Sequence, residues 1–547
     1  MRRTKIIATL GPAVKEDSKL KSLIKAGTDI ARLNIAHGSL EEHRMMKNKF
    51  ERISQQLEKN TAIMLDIKGP EVRVKDCKKR FIKKGEEISI GENGDIEFNQ
   101  KIVYEHLSPG AYVLIHDGEI KLRIREIKDN LAIAEVIQGG IIAPRMGANF
   151  PSTSIPIPYI QERDIMFIRE LAPIDFIAAS FTRSASDIVA LRKIMDELGV
   201  EAQIIAKIEN QEGVKNIEEI LEISDGIMVA RGDLGTEIPI ENLPQIQKYL
   251  LKKTIEKGKV GIIATQILES MIRNPQPTRA EVSDIANAVL DGADALMLSG
   301  ETAIGKYPIK AVKVLAKVAE KSDNIVEHRG LIELKGSLSE SISNAAVLLA
   351  KEINADAILV LTRTGKTARL VSRHKPPMKI LAATYSEKTL QSCSVYWGVE
   401  AFLIDKFKYA EKALKNAIEK AEEMNLLKKG NVIVIAGGEP SGTPGTTNFV
   451  WLQIVGDVIA RGKGYGKRRI RGKICRDVEK CDILLLSHWE DIDIKDAKGI
   501  VIESKNYEPA KLMNLSKRGI SILAGTGKIK IENEIVTLDP ERGVLWK

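Results

Sequence analysis

The chain has 547 residues, too many for one hydrophobic core, and its 44% hydrophobic and 29% charged residues place it among globular rather than disordered or fibrous proteins. No stretch approaches the ~20 consecutive apolar residues of a membrane span, and the N-terminal MRRTKIIATLGPAV has no apolar secretory core, so a cytoplasmic protein is expected. The formal net charge of +9 suits anionic ligands, either nucleic acid or small phosphates.

The first 330 residues repeat a short apolar strand, a polar or glycine-bearing turn and an amphipathic helix. Strands are predicted at 5–10, 29–34, 62–67, 176–180, 204–208, 226–230, 261–265 and 295–299, with helices such as 41–58, 185–198 and 279–291 between them. Eight such units predict a closed (β/α)8 TIM barrel. From Gly69 to Phe150 the rhythm breaks into strand-like pieces at 87–90, 112–115 and 131–136, separated by turn signals that include Asp117-Gly118. This predicts an inserted all-β domain hinged at Pro70 and Pro151.

After Ser337 a second α/β unit begins, with a helix at 338–351 and strands at 357–361, 379–383, 400–404 and 432–436. The stretch RGKGYGKRRIRGK (461–473) holds seven basic residues and reads as a solvated approach to a last small unit, with strands at 483–486, 499–502 and 520–524. Its single aromatic residue, Tyr465, argues against an RNA-stacking platform, so no nucleic-acid partner is expected. Four domains follow: 1–68 with 152–330 as the barrel, 69–151 as a β-barrel lid, 337–458 as an α/β regulatory unit, and 462–547 as an extra domain. The four cysteines form no CxxC pair. They are expected to be unrelated thiols in a reducing compartment, Cys475 and Cys481 included.

Active sites of TIM barrels lie at the C-terminal ends of the strands. That rule gathers Arg32, Asn34 and His37 from strand two, and Asp66, Lys68, Glu71 and Arg73 from strand three and just beyond. Strand five gives Lys207 and Glu209, strand six Arg231, Gly232 and Asp233, and strand seven Thr265. Strand eight gives Ser299, Gly300 and Glu301. Cations and carboxylates converging on one rim are suited to neutralising a phosphoryl group and to placing a Mg2+ ion against it. Singly, several of these residues have plainer readings: Asp66 and Asp233 as helix caps, Thr265 as a turn hydroxyl, Lys207 as a lysine ion-paired to Glu209. The loop Thr362, Arg363, Thr364, Gly365, Lys366 and Thr367 is read either as a phosphate cradle or as an ordinary helix start. The first glycine of a P-loop would fall at Val360, which excludes a Walker A motif.

TKIIATLGPA (4–13), ARLNIAHGSLEEH (31–43), LDIKGPEVR (65–73), AKIENQEG (206–213), MVARGDLG (228–235), ATQILESM (264–271), the run 277–308 and GTPGTTN (442–448) resemble the pyruvate kinase family, in order over about residues 1–458. The resemblance implies phosphoryl transfer from phosphoenolpyruvate to ADP, giving pyruvate and ATP, by a homotetramer. Lys207 and Arg32 would stabilise the phosphoryl group, and Glu209 and Asp233 would hold Mg2+ or Mn2+. Gly232 and Thr265 would contact substrate, with Thr265 helping to protonate enolpyruvate. Asn34, His37 and Arg73 would line the nucleotide side. Asn34, Asp66 and the backbone carbonyl of Ile67 would ligate K+. Where the family reads N-x-S-H-G this chain has Ala36, so a weakened or water-completed K+ site is expected. Residues 362–367 and 442–448 resemble the two walls of a site for a phosphorylated effector. From Gly462 the chain resembles the swivelling domain of phosphoenolpyruvate-utilising enzymes. That domain's phosphorylated histidine would fall at Ala510, so no phosphohistidine chemistry is expected.

Overall fold

A computed structural model describes residues 2–75, 77–116, 118–151, 153, 155–326, 337–407, 409–438, 447–477, 481–489, 497–531 and 533–547. Eight parallel strands close into a barrel in the order of the chain: Lys5–Thr9, Ile30–Asn34, Ala62–Asp66, Phe176–Ala179, Gln203–Ile208, Gly226–Ala230, Val260–Ala264 and Ala295–Leu298. Their side chains alternate between two faces, as the period of a strand requires. Ile6, Ala31, Leu33, Leu65 and Ile208 pack outward against the helices. Ile7, Ile30, Met64, Phe176, Ile205 and Met228 fill the interior. The interior cluster runs on without a break into Val347, Ile358, Ala368, Val371 and Tyr396, so the α/β unit closes the barrel floor.

The insertion carries strands at Glu87–Ile90, Tyr112–Ile115, Ile120–Lys128, Leu131–Gln138 and Ala148–Asn149, paired as a five-stranded antiparallel sheet, with a separate ribbon of Arg80–Ile82 and Gly140–Ile142. This differs from the closed β-barrel expected. Isolated bridges join Arg73 to Gly147, Val74 to Phe98 and Ile90 to Ile96. At the hinge Gly69 has φ +65°, and a Cβ there would lie 2.7 Å from the Ser180 carbonyl, so this turn admits only glycine. Buried Asp164 holds the turn by accepting from the backbone N–H groups of Lys68 (2.9 Å) and Gly69 (3.3 Å).

The α/β unit is a five-stranded sheet whose last strand, Thr447–Ile454, runs antiparallel along its edge. Among the described residues the extra domain is an eight-stranded mixed sheet with the helix Pro509–Lys517, which contains Ala510. It docks through Trp546, which is fully buried with Val432, Ile454 and Val544, and through Arg542, which donates to the Gly430 carbonyl (2.7 Å) and to Asp356 (3.1 Å). The basic run is not a solvated linker. It contains Lys463–Tyr465 and the start of Ile470–Cys475, because KRRIRGKIC alternates polar and apolar residues as a half-buried strand does. Tyr465 is buried against Tyr507 and has no face to offer a base. Cys475 and Cys481 are not unrelated thiols: their Cα atoms are 5.5 Å apart and they form a disulfide between neighbouring strand ends. Among the described residues no helix is long and apolar enough to cross a membrane.

Candidate active site

The alternation that turns Ile30, Met64, Ala178 and Ile205 inward turns the residues two positions further along inward too, and these are polar. Arg32, Asp66, Ser180 and Lys207 therefore meet at the top of the barrel, with Glu209 one more step along. All five are buried. Lys207 Nζ donates to Ser180 Oγ (2.7 Å) and to Asp66 Oδ1 (3.1 Å), and lies 3.0 Å from Glu209 Oε1. Arg32 Nε donates to Asp66 Oδ2 (2.7 Å), and its NH1 donates to Thr9 Oγ1 (2.9 Å). Ser180 Oγ donates to Asp66 Oδ1 (2.9 Å). Asp66 is thus the hub that orients both cations, not a helix cap.

Burial alone would depress the Lys207 ammonium. The facing charges of Asp66 and Glu209 reverse that and hold its pKa well above the ordinary lysine value, so it stays charged. Burial alone would raise Asp66, but Arg32 and Lys207 bring it below the usual carboxylate range. Glu209 Oε2 accepts the Phe181 backbone N–H (2.7 Å), and Phe181 sits at φ 54° to present it.

Asp233 lies in the first turn of Arg231–Glu237, whose N-cap is Ala230 without a side-chain cap, so Asp233 does not cap this helix. It lies close enough to add to the field that keeps Lys207 charged. Thr265 Oγ1 donates to the Ala264 carbonyl (2.6 Å) and accepts the Gly232 N–H (2.8 Å). Thr265 and Gln266 have φ of 65° and 53°, a left-handed conformation that is costly for a β-branched threonine. Arg231 clamps both strained carbonyls with bonds of 2.9 Å from NH2, and is itself held by Asp284.

Two cavities share Asp233. One, of about 600 Å³, lies between barrel and insertion and is lined by Glu71, Gly147, Asn149, Phe181, Asn210 and Asp233. The other, of about 510 Å³, is lined by Gly232, Asp233, Thr265, Ser299 and Glu301. Asn149 of the insertion donates to Glu237 of the barrel (3.1 Å) across the first cleft.

Asn34 is in register with Asp66, and its Oδ1 accepts the Ala36 N–H (3.1 Å). Ile67 is buried in the outer core, which accounts for an aliphatic side chain there. His37 is exposed and its carbonyl accepts from His43 Nε2 (2.8 Å), while Arg73 pairs with Glu71 (2.5 Å) and donates to the Arg145 carbonyl (2.7 Å). Neither makes a hydrogen bond or ion pair to the Lys207 cluster among the described residues. In the second α/β unit Thr362 Oγ1 accepts the Gly365 N–H (3.0 Å), Gly365 has φ +79°, and Thr367 bonds Thr447 (2.6 Å). Arg363, Thr364 and Lys366 are exposed. Of the second wall, 442–446 lie outside the described residues.

Ser180 and Asp164 are not among the residues gathered from the sequence, and Arg231 is gathered at the rim without a role. Ser180 follows a strand end as Glu209 does, and its inward position was readable from the alternation. The roles of Asp164 and Arg231 depend on loops distant in sequence.

The family descriptions "Pyruvate kinase, barrel domain" and "Pyruvate kinase, alpha/beta domain" match residues 1–312 and 340–452. A pyruvate kinase of Staphylococcus epidermidis is 38% identical over 100% of this chain and 99% of its own length. One of Staphylococcus aureus is 37% identical over the same shares. A crystal structure of a pyruvate kinase from Cryptosporidium parvum superposes with a TM-score of 0.78 at 33% identity, covering 83% of this chain and 96% of that one. The chain belongs to the pyruvate kinase family and is a phosphotransferase.

Proposed function

We propose that the Lys207 cluster transfers the phosphoryl group of phosphoenolpyruvate to ADP, giving pyruvate and ATP. The observation that carries this is one buried, permanently charged ammonium held by Asp66, Ser180 and Glu209 on the catalytic rim of a TIM barrel. A β-phosphate oxygen of ADP bonds to phosphorus as the bond from phosphorus to the enol oxygen breaks, and the released enolpyruvate takes a proton at its methylene carbon. Lys207 and Arg32 stabilise the charge on the phosphoryl oxygens in flight. Arg32 spends two donors on Asp66 and Thr9, and a guanidinium has five. The Thr265 hydroxyl, which accepts the Gly232 N–H, would assist the proton transfer.

Glu209 and Asp233 are the residues that would hold Mg2+ or Mn2+. Two carboxylates fit an ion that completes its shell with substrate oxygens and water, and among the described residues no cluster of three acidic, histidine or cysteine ligands competes for it. Bound there, the ion supplies further neutralisation of phosphoryl charge. Asn34, Asp66 and the Ile67 carbonyl would hold K+. Asp66 already serves two cations and Ala36 presents a methyl group where a hydroxyl would ligate, so this site is weak and completed by water. Asn34, His37 and Arg73 serve the nucleotide, and the insertion closes over it as a lid that excludes water.

The 362–367 loop, joined to the edge strand through Thr367 and Thr447, takes a phosphorylated effector. That edge strand exposes Trp451 and Leu452, an apolar surface suited to assembly as a homotetramer. The protein acts in the cytoplasm. The rival reading is a carbon–carbon lyase acting on the same substrate, and it has no use for a nucleotide. Pyruvate release that requires both ADP and Mg2+ supports the kinase, whereas equal release without ADP contradicts it.

A further inference from the structure

The barrel floor holds a second group of cations, and no role of the catalytic rim touches it. Arg369 and Arg373 lie one helical turn apart on and just after Lys366–Ser372, so their side chains share a face. That face meets the barrel where Gly258 and Lys259 lead into the strand Val260–Ala264: a Cβ on Gly258 would lie 2.9 Å from Arg373 NH1. Arg373 is only 3% exposed, yet none of its three guanidinium nitrogens has a hydrogen-bond partner among the described residues, and neither has Arg369 Nε. The ion pair of Arg373 with Glu340 is long, 3.5 Å to Oε1, and the other carboxylate oxygen of Glu340 accepts the Ser337 N–H (3.0 Å).

The charge balance across the interface is lopsided. Among the described residues Arg369, Arg192 and Lys366 act on Lys259 against Asp225, and Arg369 acts on Arg373 against Glu340; Asp225 is engaged by the Ile204 N–H (3.0 Å) and by Arg192 (3.5 Å). Burial, then Arg369, lowers the Lys259 ammonium to about 8, with Asp225 opposing and Arg192 and Lys366 adding to the fall. Lys259 donates to the Ser224 carbonyl (2.5 Å), while the Ser224 hydroxyl is buried without a hydrogen-bond partner among the described residues. A buried guanidinium with a single long ion pair, set beside a like charge, carries a penalty that an anion would reduce. The planar guanidinium fork matches the oxygens of a phosphate, and a dianion offsets more of the excess than a carboxylate does.

We propose that the interface between the barrel floor and the α/β unit is a binding site for a phosphate group, gripped by Arg369, Arg373 and Lys259. Arg369, Arg373 and Lys259 lie outside the 362–367 loop, whose last two residues open the same helix.

The test is acetylation of lysines in the full-length protein at pH 8, read by peptide mass spectrometry. Inorganic phosphate and methyl phosphate are compared with chloride at matched ionic strength. Lys259 labelling is expected to slow at least fivefold in phosphate, while exposed Lys193 labels at an unchanged rate. The protection should fall at least threefold in Arg369→Met, with circular dichroism confirming its fold. Protection by inorganic phosphate alone assigns a free-phosphate site, and protection by both probes assigns a phosphate-ester site. Equal Lys259 labelling in phosphate and chloride, or protection undiminished in Arg369→Met, overturns the proposal.

Discussion

At the C-terminal rim of the barrel Lys207 is buried between Asp66 and Glu209, while at the floor Lys259 is partly buried with Arg369, Arg192 and Lys366 around it and Asp225 opposing them. Desolvation pushes both ammonium groups the same way. At the rim two carboxylates outweigh it and the lysine is locked in its charged form. At the floor the neighbouring cations add to it and the lysine drops to about 8. Depth alone does not set the direction of the shift at these two lysines; the signs of the neighbouring charges do. The rim is a balanced network that leaves Lys207 and Arg32 oriented for an incoming phosphoryl group. The floor is an unbalanced one.

Unbalancing the rim should produce the largest effect. Asp66→Asn leaves Lys207 and Arg32 without their shared partner, and breaking a buried charge network costs about 3–5 kcal/mol. Chemical denaturation at pH 7 should show that loss, and kcat should fall ~100-fold or more. The same variant tests the pH sign. Because Asp66 titrates below its unfolded value of 3.8, its contribution is present above about pH 4 and is lost as pH falls through its depressed folded value. Asp66→Asn should therefore lack that part of the acid loss seen in the parent.

Lys259 carries the opposite sign. Its folded value near 8 lies below the unfolded 10.5, so it destabilises fully below pH 8, and that penalty is relieved as pH rises from 8 toward 10.5. Lys259→Met should be more stable than the parent at pH 7 by roughly 1–2 kcal/mol after allowance for solvent screening of a partly exposed group, with the gap closing by pH 10. A gap that is constant with pH would dissolve the contrast between the two ends. The smallest expected effect is Ala36→Ser, which restores a hydroxyl beside Asn34. The K+ concentration for half-maximal activity should fall a few-fold, about 1 kcal/mol, with kcat little changed.

The barrel was legible because its strands are uniformly apolar and its turns carry their own signals: Gly226–Ala230 was placed to the residue and the other seven strands within one residue at either end. The strand Ile120–Lys128 was not named because IKLRIREIK is largely exposed along its second half. The edge strand Thr447–Ile454 was missed because Asn448, Trp451, Leu452 and Gln453 are exposed without alternation. In the tail a high density of Lys and Arg masked a period of two. Lys207, Glu209 and Asp233 were legible from position at strand ends. Ser180 was readable as an inward position two residues beyond Ala178, but its partner was not, because only the closed barrel brings Asp66 beside it. Cys475 and Cys481 pair for a reason of register: the parallel pairing of Ile474 with Ile483 brings the two neighbouring sulfurs together.

The most direct measurement is kcat of Lys207→Met with phosphoenolpyruvate, ADP and saturating Mg2+, taken together with the dissociation constant for phosphoenolpyruvate. Lys207 acts mainly on the phosphoryl group in flight. Turnover should therefore fall by about a thousandfold, while binding changes less than tenfold. Turnover retained within tenfold of the parent would contradict the placement of the chemistry at this lysine.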